Sequence, residues 1–251
     1  MQAYGPGFAR VYNLKWSNFA RQTAPLILNF YENTTVGKAS KSVLDLCCGA
    51  GHLAVHLLEK GYNVVGIDLS EHMLHYAEEN ASRFIESGQC RFILADATDF
   101  TLNEKYDLVV STYDSLNHLE NELALKDCFR CVHAVCDGYF IFDLNTLKGL
   151  RRWNGIHLDD SGEDSLILSR GIYDEQGETA WLRITGFVHN HDGLYERFDE
   201  TVYNTVFNME RVKDALLDIG WQSVHFTRIN DLSTQLENPE EESRVFVIAS
   251  K

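Results

Sequence analysis

At 251 residues with 45% hydrophobic and 12% aromatic content, the chain can build one large domain with a sizeable core, and no uninterrupted apolar run approaches the roughly 18–20 residues of a bilayer-crossing helix. A formal net charge of -15 argues against a partner held by neutralising phosphates, so neither nucleic acid nor membrane is expected as a partner. The segment MQAYGPGFARVYNLKW lacks the basic flank and apolar stretch of a secretory signal, so a cytoplasmic location is expected, with Cys47, Cys48, Cys90, Cys128, Cys131 and Cys136 as reduced thiols.

In chain order, residues 42–46 form a short apolar run, read as a first strand. A helix over 51–60 follows and stops at Gly61, where a left-handed cap costs glycine least. Residues 63–68 (NVVGID) are β-branched and give a second strand; Ser70 then caps a helix reaching to about Gly88. Strands at 91–95, 106–111 and 139–143 complete the series, with a helix over 122–136 before the last. Short, nearly all-apolar strands alternating with helices are the pattern of a mostly parallel sheet covered on both faces. Cys128 and Cys131 form a CxxC pair inside the helical stretch, no second Cys or His pair stands at zinc spacing, and no metal is predicted.

From about Gly149 the pattern changes to extended segments divided by the turn signals EQGE and NHDG, an antiparallel meander inserted after strand five. Trp181, Arg183, Thr185 and Phe187 share one face, as do Tyr195, Arg197, Asp199, Thr201 and Tyr203, so one face packs and the other meets solvent or ligand. Arg183, Tyr195 and Arg197 suit an acidic or phosphorylated group; simple solvation is the alternative. Asn208 caps a helix running to Gly220, strands follow at 221–229 and 244–250, and the acidic LENPEEES between them reads as a solvated loop.

The informative segment is SVLDLCCGAGHLAVHLLEKGYNVVGIDLS. Gly49 and Gly51 sit at a strand-to-helix turn, where backbone N–H groups can approach a ligand. GAGHLA also satisfies a dinucleotide-binding pattern, which leaves an NAD-dependent oxidoreductase open. Asp45 stands just ahead of the turn, where its charge would repel a pyrophosphate but suits an ammonium group. Asp68 ends the second strand and can accept from both hydroxyls of a ribose, or serve as a turn acid ahead of Ser70. Asp96, in LADATDF after strand three, can accept from an adenine amino group while the N–H of Ala97 donates to a ring nitrogen; a plain turn aspartate is the alternative.

Three acids closing three successive strands, with the glycine turn, resemble the class I S-adenosylmethionine-dependent methyltransferases. The resemblance runs through DLCCGAG, the acid of GIDLS, LADATDF and YDLVVSTYDSLNHL. It implies an α/β fold with a Rossmann-like seven-stranded sheet, helices on both faces and an antiparallel last strand. It implies S-adenosyl-L-methionine as cofactor, with Asp45 near the methionine amino group, Gly49, Ala50 and Gly51 beneath the methionine, and Asp68 on the ribose. Asp96 and Ala97 would read adenine, and Leu69 and Met73 join the same cofactor site.

The aromatic N-terminal segment (Tyr4, Phe8, Tyr12, Trp16, Phe19), the meander and STYDSLNHL are similar to a small-molecule branch that includes amino-sugar N-methyltransferases. That likeness implies that an aromatic near Trp16, with Tyr12, covers the cofactor and that His118 meets the acceptor; packing of an amphipathic helix is the alternative for Tyr12 and Trp16. Methyl transfer from a sulfonium mainly needs alignment and exclusion of water. An amine acceptor must also lose a proton, for which His118 or Asp114 is the candidate base, while Tyr113 can set its ring against the sulfonium and Asp143 and Asn145 can orient the acceptor. The expected organisation is a cofactor-binding core with an N-terminal helical lid over 1–148, a β insertion roofing the acceptor site over 149–206, and the C-terminal part of the core sheet over 207–251. The expected function is methyl transfer to nitrogen or oxygen of a small-molecule acceptor by a monomer or homodimer, with an oxidoreductase or a catalytically silent S-adenosylmethionine-binding domain as alternatives.

Overall fold

A computed structural model describes residues 4–251 apart from 163, 178 and 190–192. The NHDG signal lies, but for Gly193, outside the described residues, as does Glu178 of EQGE. Helices α1 (Pro6–Lys15), α2 (Asn18–Glu32) and α3 (Thr35–Ala39) open the chain. There follow β1 (Ser42–Leu46), α4 (His52–Glu59), β2 (Asn63–Asp68), α5 (Glu71–Asn80), α6 (Ser82–Glu86), β3 (Cys90–Leu94), β4 (Tyr106–Ser111), α7 (Glu122–Val135) and β5 (Cys136–Asn145). A short α8 (Leu147–Leu150) leads to β6 (Gly155–Asp160), β7 (Ser165–Asp174), β8 (Thr179–His189) and β9 (Tyr195–Thr205). The chain closes with α9 (Met209–Ile219), β10 (Ser223–Arg228), β11 (Asp231–Gln235) and β12 (Arg244–Ser250).

Among the described residues the main sheet runs β11-β10-β12-β5-β4-β1-β2-β3. Strands β1 to β5 pair in parallel, and β12 lies antiparallel to both β5 and β10. The α/β class, the parallel core and the antiparallel last strand match the expectation; the strand count does not. Eight strands rather than seven are present, because residues 229–230 turn the chain back and β11 pairs with the edge of β10. In DLSTQ one apolar residue, Leu232, is buried at 4% exposure in the same core as Ile27 and Phe246, and this burial against α2 holds an otherwise polar strand to the sheet.

The sheet's two faces carry separate cores. Leu44, Leu46, Phe140, Phe142, Phe129 and Trp221 share one, whereas Val43, Val110, Ile141, Ile27 and Leu57 share the other. Asp45 alternates with Leu44 and Leu46, so it sits on the Val43 side, beneath α4. The helix expected to reach Gly88 breaks at the fully buried Ala81, where φ -103° and ψ 10° end α5 and α6 begins. The acidic loop is tied down as well as solvated: Glu240 accepts from the N–H of Met209 at 2.9 Å, and Glu242 pairs with Arg228 at 2.9 Å.

Strands β6-β7-β8-β9 form a second, antiparallel sheet. Its inner face, through Ile167, Ile184 and Val188, packs on Phe8, Ala9 and Val11 of α1. Its outer face carries Arg183, which grips Asp199 at 2.8 and 2.7 Å, and Arg197, which shares that carboxylate at 2.7 Å. These cations therefore face solvent and neutralise each other's partner; they do not point at a ligand beneath the sheet.

Candidate active site

The turn after β1 alternates in and out of the left-handed region, with φ of 58° at Cys47, 55° at Gly49 and 73° at Gly51. Two glycines make that path inexpensive, and a side chain at Gly51 would meet Ala77 at 3.0 Å. Asp68 fastens the turn: one carboxylate oxygen accepts from the N–H of Gly49 at 2.8 Å and the other from the N–H of Ser70 at 2.9 Å. Ser70 caps α5 by accepting from Met73. Burial raises the Asp68 carboxyl above its ordinary range, while the amides of Ser70, Gly49 and Leu69 oppose the shift.

Asp45 is 1% exposed, and its Oδ2 has no hydrogen-bond partner. Burial, then the charge of Asp68, pushes its carboxyl up to about 8, against the N–H of Ala54. A gap of about 20 Å³ beside it is closed by Tyr12, Phe19 and Tyr113, the last two stacked at 4.8 Å. The carboxyl thus stands beside three aromatic rings with one oxygen unpartnered.

The loop after β4 places two consecutive non-glycine residues in the left-handed region, Tyr113 at φ 69° and Asp114 at φ 50°, each costing about 1–3 kcal/mol. Asp143 holds both, accepting from Tyr113 N–H at 2.6 Å and Asp114 N–H at 2.9 Å. Arg244 on β12 pairs with the Asp114 carboxylate, lies 3.4 Å from Asp143 and donates to Asn145 Oδ1 at 3.0 Å. The rings of Phe19 and Tyr113 cover its guanidinium at 5.0 and 5.6 Å. Burial pushes Asp143 up to about 6 although Arg244 pulls it down.

His118 ends the turn Ser115–His118 that follows. Its Nδ1 lies 2.7 Å from the carbonyl of Tyr203, nearer than the Asn204 amide at 3.3 Å. A carbonyl only accepts, so Nδ1 carries the hydrogen and Nε2 is the basic nitrogen, 3.1 Å from the hydroxyl of Tyr4. Burial holds the Tyr4 phenol well above its ordinary value, so it stays a donor. Ser70 Oγ donates to the Tyr4 carbonyl at 2.8 Å and Gly5 N–H donates to Glu200 at 3.0 Å, which pins the segment before α1 across the site.

Two adjoining cavities result. The first, about 370 Å³, is bordered by Gly49, Asp68, Leu69, Met73, Ser70 and Glu200. The second, about 460 Å³, lies between α1 and the antiparallel sheet; Tyr4, Tyr12, Tyr113, His118 and Val202 border both. Of the sequence-predicted set, Tyr12, Gly49, Asp68, Leu69, Met73, Tyr113 and His118 thus line the first cavity, and Asp45 lies in the adjoining gap. Ala50 is fully buried behind the turn, its carbonyl accepting from Asn80 at 2.9 Å, and Gly51 caps α4. Trp16 and Asp114 border the second cavity. Asp96 and Ala97 border neither: Asp96 accepts from Thr98 N–H at 2.8 Å and Oγ1 at 2.7 Å, and Ala97 is 2% exposed in the core. Arg244, Ser70 and Glu200 belong to the site without having been foreseen. Among the described residues no group of three or more His, Cys, Asp or Glu is arranged to hold a metal ion.

Residues 43–136 match the sequence profile described as a methyltransferase domain. Over 213 residues, 83% of each sequence, the chain is 30% identical to YqeM of Bacillus subtilis strain 168, whose name assigns it provisionally to the methyltransferases. The chain belongs to the S-adenosylmethionine-dependent methyltransferases. The oxidoreductase that the glycine pair left open is thereby set aside. This methyltransferase is also 33% identical over 136 residues, about half of each sequence, to the ubiquinone biosynthesis O-methyltransferase of Idiomarina loihiensis. Its fold superposes on an S-adenosylmethionine-dependent methyltransferase from Clostridium acetobutylicum (TM-score 0.78, 22% identity, 97% of each chain). It superposes equally on the sugar N-methyltransferase KedS8 of Streptoalloteichus (TM-score 0.78, 19% identity, 100% of this chain and 95% of the other).

Proposed function

We propose that this methyltransferase moves the methyl group of S-adenosylmethionine to a nitrogen or oxygen of a small-molecule acceptor, with the donor in the first cavity and the acceptor in the second. The observation that carries the reading is the meeting of the two cavities at the basic Nε2 of His118. In this reading residues 1–148 and 207–251 are the donor-binding core with its N-terminal lid, and residues 149–206 roof the acceptor. The activities for which these two relatives are named, on a sugar nitrogen and on an oxygen, support both acceptor atoms.

The residues present fit the donor. The unpartnered Oδ2 of Asp45 suits an ammonium group and Asp68 suits ribose hydroxyls, whereas Asp96 and Ala97, expected at adenine, border neither cavity. When bound, S-adenosylmethionine supplies a methyl group already activated on a sulfonium. The protein's part is to align, to exclude water and to take a proton. Tyr12 and Tyr113, which line the first cavity, offer the positive charge π faces. His118 accepts the acceptor's proton at Nε2 while the Tyr203 carbonyl holds its ring, and Tyr4 must yield that nitrogen. Asp114 is committed to Arg244, which leaves His118 as the base of choice.

The test is conversion of S-adenosylmethionine to S-adenosylhomocysteine across a panel of amines and hydroxyl compounds. Turnover with one acceptor class supports the reading, and silence with all of them removes it. Substituting His118→Gln is expected to lower kcat by roughly 10²–10⁴-fold with S-adenosylhomocysteine affinity unchanged. Unchanged kcat would return His118 to a structural role.

Asp45 makes the donor site pH-sensitive. A carboxyl raised to about 8 is protonated at neutral pH and must lose its proton to hold an ammonium. Affinity for S-adenosylhomocysteine should therefore climb about tenfold per pH unit and level off near pH 8, and the slope should vanish in Asp45→Asn. The sign for folding is the opposite. A raised folded pKa gives stability that is full below about pH 4 and is lost as pH rises through 8, so Asp45→Asn should gain stability relative to the parent across that window. Calorimetric titrations and melting curves at pH 5, 6.5 and 8.5 read both slopes.

A further inference from the structure

The second cavity differs in chemistry from the first. Its walls are Phe8 of α1, Trp16 just past the end of that helix, Trp153 ahead of β6, Leu182 and Ile184 of β8, and Val202 of β9. Phe8 is 4% exposed, Ile184 2%, and the Phe8 and Trp16 rings lie 5.3 Å apart. Among the described residues that line it, Arg244 is the one permanent cation, and Asp114, Asp143 and Asn145 already occupy its guanidinium. His157, the remaining histidine of the wall besides His118, is exposed. The sheet's other cations do not reach in, since Arg183 and Arg197 are on its outer face with Asp199.

A phosphate or carboxylate placed against this wall would find apolar and aromatic surface and no free Lys or Arg among the described residues that line it, so whatever hydration it gave up there would not be repaid. An apolar ring would gain about 25 cal/mol for each Å² removed from water and would stack on the aromatic wall. The directional groups, His118 Nε2 and the Tyr4 hydroxyl, lie where this cavity borders the first.

We propose that the second cavity is an acceptor chamber for an uncharged aromatic amine or phenol, its ring between the α1 aromatics and Leu182, its nitrogen or oxygen at His118 and facing the donor. The proposal rests on the methyltransferase reading above and narrows it by rejecting phosphorylated acceptors such as sugar nucleotides.

The test is calorimetric titration of the full chain, first with S-adenosylhomocysteine and then, on the saturated protein, with 4-tert-butylaniline, 4-tert-butylphenol and uridine diphosphate glucose. Saturable one-to-one binding of either aromatic probe, at least tenfold tighter than the sugar nucleotide, is expected. Leu182→Glu should weaken the aromatic probes tenfold or more without moving the S-adenosylhomocysteine affinity. Trp16→Phe, which keeps a ring in the wall, should weaken them less than threefold. Ser169→Glu, beside Ile184 on the inner face and lining the same cavity, offers a second charge at a partly exposed position. Equal or tighter binding of uridine diphosphate glucose overturns the proposal, as do aromatic probes indifferent to both Leu182→Glu and Ser169→Glu. If S-adenosylhomocysteine binds and no aromatic probe does, the chamber proposal falls while the donor site stands. Failure of S-adenosylhomocysteine itself to bind removes the underlying reading, and with it the acceptor role of the chamber.

Discussion

Asp68→Ala is expected to weaken S-adenosylhomocysteine binding by roughly 100-fold or more and to lower the melting temperature at the same time. In the folded chain the carboxylate accepts two backbone N–H bonds, from Gly49 and Ser70, and so joins the glycine turn to the first turn of α5. Hydrogen bonds to a charged group are worth about 1.5–3 kcal/mol each, and the two amides would be left without acceptors. Together that is about 3–6 kcal/mol, divided between stability and the shape of the donor site. Asp68→Asn is the sharper variant: it offers one oxygen and one amide nitrogen, so one N–H meets a donor and the turn still opens. A role confined to the helix start would cost about 1 kcal/mol of stability and leave affinity alone. An Asp68→Asn protein that binds S-adenosylhomocysteine as the parent does would contradict the ribose assignment.

What was legible in the sequence shares one property: its determinants lie within about twenty residues of one another. The apolar runs of β1, β2 and β4 have the bounds expected, because a strand buried on both faces must be apolar throughout. Asp45 and Asp68 were visible because a strand end fixes where a carboxylate lands. Helix α2 was not, since Ser17 makes no side-chain cap and Pro25 sits inside the helix; burial of Ala24, Ile27 and Tyr31 overrides both local signals. β11 was hidden because a lone buried leucine among polar residues has no period. Trp16 follows Tyr12 by one helical turn, just past the end of α1, and sequence could not separate their surroundings: Tyr12 approaches Gly49 and borders both cavities, whereas Trp16 borders the second and not the first. The least legible member is Arg244, whose partners Asp114 and Asp143 precede it by more than a hundred residues and meet it only through the β5–β12 pairing.

That arginine carries the other large expected effect. Arg244→Met removes the cation from a site where Asp143 is fully buried and Asp114 nearly so, and breaking a buried pair from one side costs about 3–5 kcal/mol. The loss should depend on pH with a definite sign. Asp143 is already raised to about 6 with the guanidinium present, so its contribution to stability is full below about pH 4 and is lost as pH rises through 6. Without Arg244 the carboxyl moves higher still and the window of loss widens upward. The variant should therefore lie nearest the parent at pH 5 and furthest from it at pH 8, as read by urea midpoints at both. Arg244→Lys separates charge from geometry: the ammonium can neutralise the acids but lacks the planar fork that reaches Asp114 and Asn145 together and stacks between Phe19 and Tyr113. It should regain much of the stability at pH 8 while the Asp143-held left-handed backbone of Tyr113 and Asp114 relaxes, lowering kcat more than the affinity for S-adenosylhomocysteine. Equal destabilisation of Arg244→Met at pH 5 and pH 8 would show that packing of the side chain, and not its charge, holds the loop.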